Sequence, residues 1–436
     1  MKILIVSGFF PPHAPQGGTR INSFAKYIQS RGHDVRVIAA LDTRFPPLLS
    51  PGISPDRIIY APFSPPSLRR RNQESRKVGK GATAISDQVA RPQAGHPRSR
   101  LHRFLGETHD KLINLPDRHI WWRGNAIAAG RALMEHWRPD IIYASAPPHS
   151  GLLVAASLSR EFPTPWIAEF RDLWVDHPYY DEPVWRRLIE KPLERRVLKS
   201  CAGFITVTES WAEHLRIVTA KPVALVLNGF DPDDYPANPD AGPKTGAKLT
   251  ILYAGALYQT KRDPRMLFDA MRRLGELSHS VNTIFYVKEV ELVSRLAREF
   301  SVEHCVEVRG MVPRGEVIEA QRHADILLLL RWDDPREDGV IAGKLFEYIG
   351  AGRPILSVGS VRGEAADMIR DHGLGVVSSD PETIAHQLKV WLELRQGGQY
   401  LPAIPDRVRA RFSRVVQFRK LEQFLASRIS ASVVQC

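Results

Sequence analysis

MKILIVSGFFPPHAPQGGTRINSFAKYIQSRGHDVRVIA, residues 1 to 39, is the stretch whose reading decides the fold. Lys2 to Val6 is an apolar run that stops at Ser7-Gly8, and a proline-rich loop follows. From Thr19 the apolar residues Ile21, Phe24, Ala25 and Ile28 recur at the three- and four-residue spacing of a helix. Gly32-His33-Asp34 then turns the chain into a second apolar run, Val35 to Ala39. Strand, loop, helix, turn and strand in this order predict a βαβ unit, and so the start of a parallel sheet.

The same alternation recurs along the chain. Asp140 to Ala144, Pro165 to Phe170, Gly203 to Thr208 and Pro222 to Leu227 read as further strands, with Ser150 to Ser159 as a helix. The first doubly wound domain is therefore placed at 1–228, with a basic insertion at about 62–105. Asn228-Gly229-Phe230-Asp231-Pro232 and a loop rich in Pro, Gly and Asn mark a linker at 229–248. Strands then resume at Leu249–Gly255, Thr283–Val287, Val306–Gly310, Asp325–Leu330, Pro354–Val358 and Gly375–Val377, with helices at Pro264–Gly275 and Ala342–Gly350. This second domain spans 249–410, and a basic helical tail covers 411–436. The expected fold class is α/β, with two doubly wound Rossmann-like domains facing each other across a cleft.

A length of 436 residues suits two domains, and 43% hydrophobic with 25% charged residues is the balance of a chain that buries two cores. Cys201, Cys305 and Cys436 have no CxxC or Cys/His spacing, which fits a reducing compartment and gives no zinc site. The apolar opening is too short to span a bilayer and lacks a cleavage site, and no later stretch is long enough. A cytoplasmic location is therefore expected. The formal charge of +12 points to an anionic partner. Ten Lys/Arg, from Arg69 through Arg103, stand against only Glu74 and Asp87 in the insertion, which reads either as a solvated loop or as a dock for an anionic membrane surface.

Ligands of open α/β sheets sit at the carboxyl ends of the strands, so the loops there supply the candidates. Gly17-Gly18-Thr19 precedes a helix and reads as an anion-binding turn or as a plain tight turn, with Arg20 as an added cation. Ser145 to Ser150 carries His149, a possible hydrogen-bond partner for a sugar or phosphate. Glu169-Phe170-Arg171-Asp172 puts two carboxylates around an arginine, either for substrate or to brace the loop. Gly255 to Arg262 ends a strand and brings Lys261 and Arg262 to a helix start, where a diphosphate leaving group would need neutralising. Lys344 and Glu347 lie three apart on one helix face, either as a salt bridge or with Glu347 accepting from ribose hydroxyls. Neither GxGxxG nor GxxxxGK[ST] occurs, which argues against a nicotinamide-dependent oxidoreductase and a P-loop enzyme.

Taken in order, these pieces resemble the retaining, metal-independent glycosyltransferases of the GT-B fold, in particular family four. MKILIVSGFFPPHAPQGGTR resembles the opening strand and glycine loop. LPDRHIWW, PDIIYASAPPHSGLLVAA and PWIAEFRDLW resemble a subgroup that builds surface polysaccharides, often on lipid-linked acceptors. YAGALYQTKRDP resembles the phosphate loop and GKLFEYIGAGRPIL the nucleotide-binding helix. The resemblance implies that Gly18 supports phosphate through its backbone, that Lys261 and Arg262 contact the diphosphate, and that Glu347 holds the ribose. It further implies that the backbone at Ile341 and Ala342 holds phosphate, His149 touches the transferred sugar and Asp172 lies at the acceptor side. Gly17, Arg20, Arg171, Gly255 and Lys344 complete the expected substrate-binding set. No metal and no cofactor beyond the nucleoside-diphosphate sugar donor are expected, and no nucleic-acid partner. Two departures stand out. The arginine that the family places after the phosphate-loop glycine is Ala256 here, and the acid it places eight positions before Glu347 is Gly339, a role that could shift to Glu337 or Asp338. The alternatives are a nucleotide-sugar 2-epimerase on the same scaffold, or a non-catalytic module binding membrane or nucleic acid. The basic stretch between Pro65 and Arg103 lacks the aromatic residues of single-strand binders.

Overall fold

A computed structural model describes residues 1–14, 17–47, 49–64, 111–235, 248–257 and 261–434. Most of the basic insertion, most of the linker, and Tyr258 to Thr260 of the phosphate loop lie outside the described residues.

The N-terminal elements run β1 (Lys2–Ser7), α1 (Gly18–Ser30), β2 (Asp34–Leu41), β3 (Ile58–Pro62), α2 (Ile120–Met134), β4 (Ile141–Ala146), α3 (Ser150–Glu161), β5 (Trp166–Phe170), α4 (Val184–Leu198), β6 (Gly203–Thr206), α5 (Glu209–Thr219) and β7 (Val223–Leu225). They form a seven-stranded sheet in the order β3-β2-β1-β4-β5-β6-β7. Pairing is parallel from β3 through β5, with Ile3 opposite both Val35 and Ile141. Strand β3 and helix α2 carry no clear periodic signal and were not anticipated. The strand expected at 222–227 shortens to three residues.

A second series follows: β8 (Leu249–Ala254), α6 (Arg265–Arg273), β9 (Val281–Tyr286), α7 (Val290–Glu299), β10 (Val306–Arg309), α8 (Arg314–His323), β11 (Ile326–Leu330), α9 (Gly343–Ala351), β12 (Ile355–Val358), α10 (Glu364–Asp371), β13 (Gly375–Ser378), α11 (Pro381–Gln396), α12 (Asp406–Arg411) and α13 (Arg414–Val434). Its six strands are all parallel, in the order β10-β9-β8-β11-β12-β13. Each sheet is thus wound outward in both directions from its first strand, so the reversal falls between β1 and β4 and again between β8 and β11. Two α/β, Rossmann-like domains result.

Strand periodicity explains how the second sheet is covered. Ile251 and Tyr253 of β8 with Ile326, Leu328 and Leu330 of β11 enter one core, and Leu252 with Leu327 and Leu329 enters the opposite one. Both faces are dry, as a parallel sheet requires. This is why β11 reads ILLLL without alternation.

The chain divides into two compact units. One comprises 1–205, 221–223 and 422–436, and the other 206–220 and 224–421. The end of α13 therefore belongs with the first unit. Tyr27 Oη donates to Glu422 at 2.9 Å, and His33 Nε2 lies 2.8 Å from the same carboxylate.

In the second core the ring of Phe285 is fully buried against Tyr253 and Phe268, with centroids 5.7 and 5.8 Å away. Phe285→Ala is expected to cost about 3–5 kcal/mol, read from the urea midpoint, because such a site relaxes only in part around the cavity.

Candidate functional site

In the first unit, the candidates gather at the switch point after β1, β4 and β5. Gly17 precedes α1 and Gly18 opens it; Gly18 is sterically closed to larger residues, and Gly17 is closely approached by the Arg171 side chain. A Cβ on Gly18 would lie 2.7 Å from that of Ala14, and one on Gly17 would lie 3.0 Å from a guanidinium nitrogen of Arg171. Arg171 donates to the Gly17 carbonyl and to the Pro147 carbonyl, which ties the loop after β1 to the loop after β4. It braces the two loops through backbone acceptors, and not through the adjacent Asp172.

Arg20 was expected as a cation for a ligand. The structure places it instead, 5% exposed, on Glu169 of β5, with Nε and Nη2 at 3.0 and 2.9 Å from the same carboxylate oxygen. Ser145 Oγ donates to the other oxygen at 2.6 Å. Burial pushes the Glu169 carboxyl upward, but Arg20, Arg171 and the Ser145 hydrogen bond outweigh it and hold it below the usual range. The acid is therefore an anion that locks α1 to the sheet.

His149 stands immediately before α3. Its ring stacks on Trp174 at 5.1 Å, and its Nε2 is buried without a hydrogen-bond partner. Burial drives its pKa below the ordinary value, against the pull of Asp117 and Asp172. A neutral imidazole with an unmet nitrogen results, suited to one hydrogen bond with a neutral hydroxyl. Asp172 lies 3.5 Å from His177 Nε2. Burial pushes this carboxyl up, but His177 and Arg171 more than offset it, so Asp172 is ionised. Asp117, which carried no expected role, accepts from Ser150 N at 2.9 Å and Ser150 Oγ at 2.7 Å. It caps α3 from 33 residues upstream, a contact that no local pattern reveals.

In the second unit, the equivalent switch point holds Lys344. Helix α9 begins at Gly343 after the extended residue Ala342, with no side-chain cap, so its first backbone N–H groups remain available to an anion. Ile341 is buried in the core. Lys344 Nζ donates to the Ala254 carbonyl at 3.0 Å and lies 4.1 Å from the centre of the Tyr253 ring. Gly255 has φ of +134°, and a Cβ there would come within 2.6 Å of Lys344 Nζ. Burial, together with the charge of Arg262, pushes the lysine down to about 7. Lys261 Nζ sits 4.7 Å from the centre of the Trp332 ring, which also carries the Arg336 guanidinium at 4.5 Å.

Lys344 and Glu347 do not form the intrahelical pair that their spacing allowed. Glu347 accepts from Arg314 at 2.7 Å, and Arg314 also bonds Asp234, a residue 80 positions earlier. Arg314, Asp234 and Trp332 were missed from sequence, and only the proline before Arg314 hinted at a helix start there. Near Gly339, the residue that departs from the resembled pattern, Asp338 keeps a buried Oδ1 without a hydrogen-bond partner. Among the described residues no cluster of three or more His, Cys, Asp or Glu could hold a metal ion.

Residues 17–229 match the model of the glycosyl transferase 4-like domain. This stretch is a glycosyl transferase 4-like domain, and the chain as a whole has the GT-B fold. Among solved structures it is similar to sucrose-phosphate synthase from Thermosynechococcus elongatus, at 14% identity and a TM-score of 0.64 over 99% of both chains. It is also similar to HepE of Anabaena in complex with UDP-glucose, at 14% identity and a TM-score of 0.61 over 98% of this chain and 100% of that one. The lipopolysaccharide outer core galactosyltransferase WaaB is a third, at 14% identity and a TM-score of 0.56 over 98% and 100%. No curated protein sequence matches the chain.

The Arg20–Glu169 pair generates a stability test. Arg20→Met strands a buried carboxylate and is expected to cost about 3–5 kcal/mol, whereas Arg20→Met with Glu169→Leu should recover most of that loss. Urea unfolding of both variants checks it, and a double variant no better than the single one would contradict the brace.

Proposed function

We propose that this glycosyltransferase moves a sugar from a nucleoside-diphosphate sugar to a glycan or lipid-linked acceptor in surface polysaccharide synthesis, with retention and without a metal or cofactor. The observation that carries the reading is the second unit's phosphate corner, where Lys344 lies against Gly255 beside the uncapped start of α9. Lys344 takes the place left by Ala256 as the cation of that corner, joined by Lys261 and Arg262 from the end of the phosphate loop. Backbone N–H groups near Ile341 and Ala342 receive phosphate oxygens, and Glu347, aimed by Arg314, receives the ribose hydroxyls. Asp338 offers its unmet oxygen to the donor sugar.

In the first unit the Gly17-Gly18 turn, held by Arg171, serves phosphate or sugar, His149 bonds a sugar hydroxyl and Asp172 serves the acceptor. The bond from the anomeric carbon to the diphosphate breaks, and one to the acceptor oxygen forms on the same face. The acceptor proton passes to the departing diphosphate, so the protein supplies charge and position more than a base. The WaaB and HepE likenesses, one to a lipopolysaccharide enzyme and the other to a UDP-glucose complex, support a sugar-nucleotide substrate of this kind. A cytoplasmic location follows from such donors, and no described helix is long and apolar enough to cross a membrane.

A thermal-shift screen against UDP, GDP, ADP, CMP and their sugars without added metal tests the proposal, since a ligand bound only by the native state raises its melting temperature. Stabilisation by one nucleoside diphosphate and its sugars is expected, and no shift with any of them would sink the reading. Lys261→Ala should lower turnover by on the order of a hundredfold with the fold intact, as loss of an electrostatic stabiliser does. Single-turnover rates check it.

Lys344 adds a pH signature. Its free-enzyme pKa of about 7 means that the charged form is lost as pH rises through neutrality. A sugar-nucleotide diphosphate has no group of its own titrating there, so its binding should weaken above that pH and take up a proton. Calorimetry in buffers of different ionisation enthalpy reads the uptake, and Lys344→Met should abolish it.

A further inference from the structure

Helix α4 buries Val197 and Leu198 at its end, but over its first turns charged side chains face inward and aliphatic ones outward. Its inward face is polar: Arg186, 6% exposed, bonds Glu190 at 2.6 Å and the carbonyls of Asn114 and Pro116 at 3.1 and 2.8 Å. Glu190, 1% exposed, also accepts from Trp174 at 3.0 Å and Tyr180 at 3.2 Å. Its outward face carries Val184 and Leu188, 76% and 70% exposed, with Ile189 at 46%. Arg187, Arg195, Arg196 and Lys199 are exposed beside them. The helix's two acids, Glu190 and Glu194, are buried, so the outward face carries cations and aliphatic side chains without a carboxylate of its own.

A helix that buries Arg186 and both of its acids while leaving Val184, Leu188 and Ile189 exposed among cations is not built to face water alone. We propose that this face of α4 docks on an anionic phospholipid surface. Val184, Leu188 and Ile189 enter the boundary between headgroups and acyl chains, while Arg195, Arg196 and Lys199 meet lipid phosphates. Charge complementarity selects this occupant. A second copy of the chain would oppose one cationic face to another, and the stretch from Arg69 to Arg103, with its ten cations, is equally unsuited to cover it. Nucleic acid would satisfy the cations but offers nothing to aliphatic side chains. The proposal goes beyond the transferase reading and does not depend on the donor or on the phosphate corner.

Flotation of the full-length protein with vesicles tests it, using equal parts phosphatidylglycerol and phosphatidylcholine against phosphatidylcholine alone. Wild type is expected to float with the mixed vesicles only. Val184→Asp with Leu188→Asp should lower partitioning by roughly tenfold or more, because each change removes an aliphatic side chain that docking buries and adds a repelled charge. Arg195→Glu with Arg196→Glu is an independent second pair, and all four positions are exposed, so thermal melts should stay at the wild-type value. Donor-induced thermal shifts should also persist in both variants, which separates failure of docking from failure of the transferase reading. Three outcomes overturn the proposal: wild type that ignores mixed vesicles, variants that bind as tightly as wild type, or a solution dimer that Val184→Asp with Leu188→Asp dissociates.

Discussion

A parallel sheet with helices on both faces leaves polar chemistry only one kind of place, the open carboxyl ends of its strands. The rest of this molecule follows from that constraint. Both sheets reverse their winding after the first strand, so the loops after β1 and β4, and those after β8 and β11, are the ones not covered by a crossing helix. Gly17, Gly18 and His149 occupy the first set, and Arg171, just past the end of β5, reaches into it. Gly255, Lys261 and Lys344 occupy or adjoin the second.

Charge is handled differently in the two units. In the first, the arginines near the loops are consumed internally: Arg20 neutralises Glu169 within the core, and Arg171 holds backbone carbonyls. What remains for a substrate is a neutral histidine and an ionised aspartate. In the second, burial and the nearby charge of Arg262 keep Lys344 close to losing its proton, while its Nζ bonds the Ala254 carbonyl and faces the Tyr253 ring. An anion arriving there, as the diphosphate of the proposed donor would, repairs an electrostatic deficit.

The architecture was largely legible in the sequence because it rests on short-range patterns. The ILLLL run of β11 declares a strand buried on both faces, and the Gly17-Gly18 pair ahead of Ile21, Phe24 and Ile28 declares a helix entered through a tight turn. Strand β3 escaped because its IIYAP run is short and half-buried, and α2 because its IWWRGNAIAAGRALM segment has a weak apolar stripe. The candidate residues were found by their place at strand ends, but their partners were not. Arg20 and Glu169 are 149 residues apart, and nothing near either one announces the other.

By itself, then, the sequence determined the alternation of strands and helices, the two doubly wound domains and the loops in which chemistry could lie. These depend on periodicity and turn residues within a dozen positions. Only the tertiary structure decided which charges are buried and paired, that Glu347 answers to Arg314 and not to Lys344, and that α4 turns its aliphatic residues outward. Those outcomes depend on distances between residues remote in the chain and on which side of each helix meets the core, quantities set by packing and not by any local pattern.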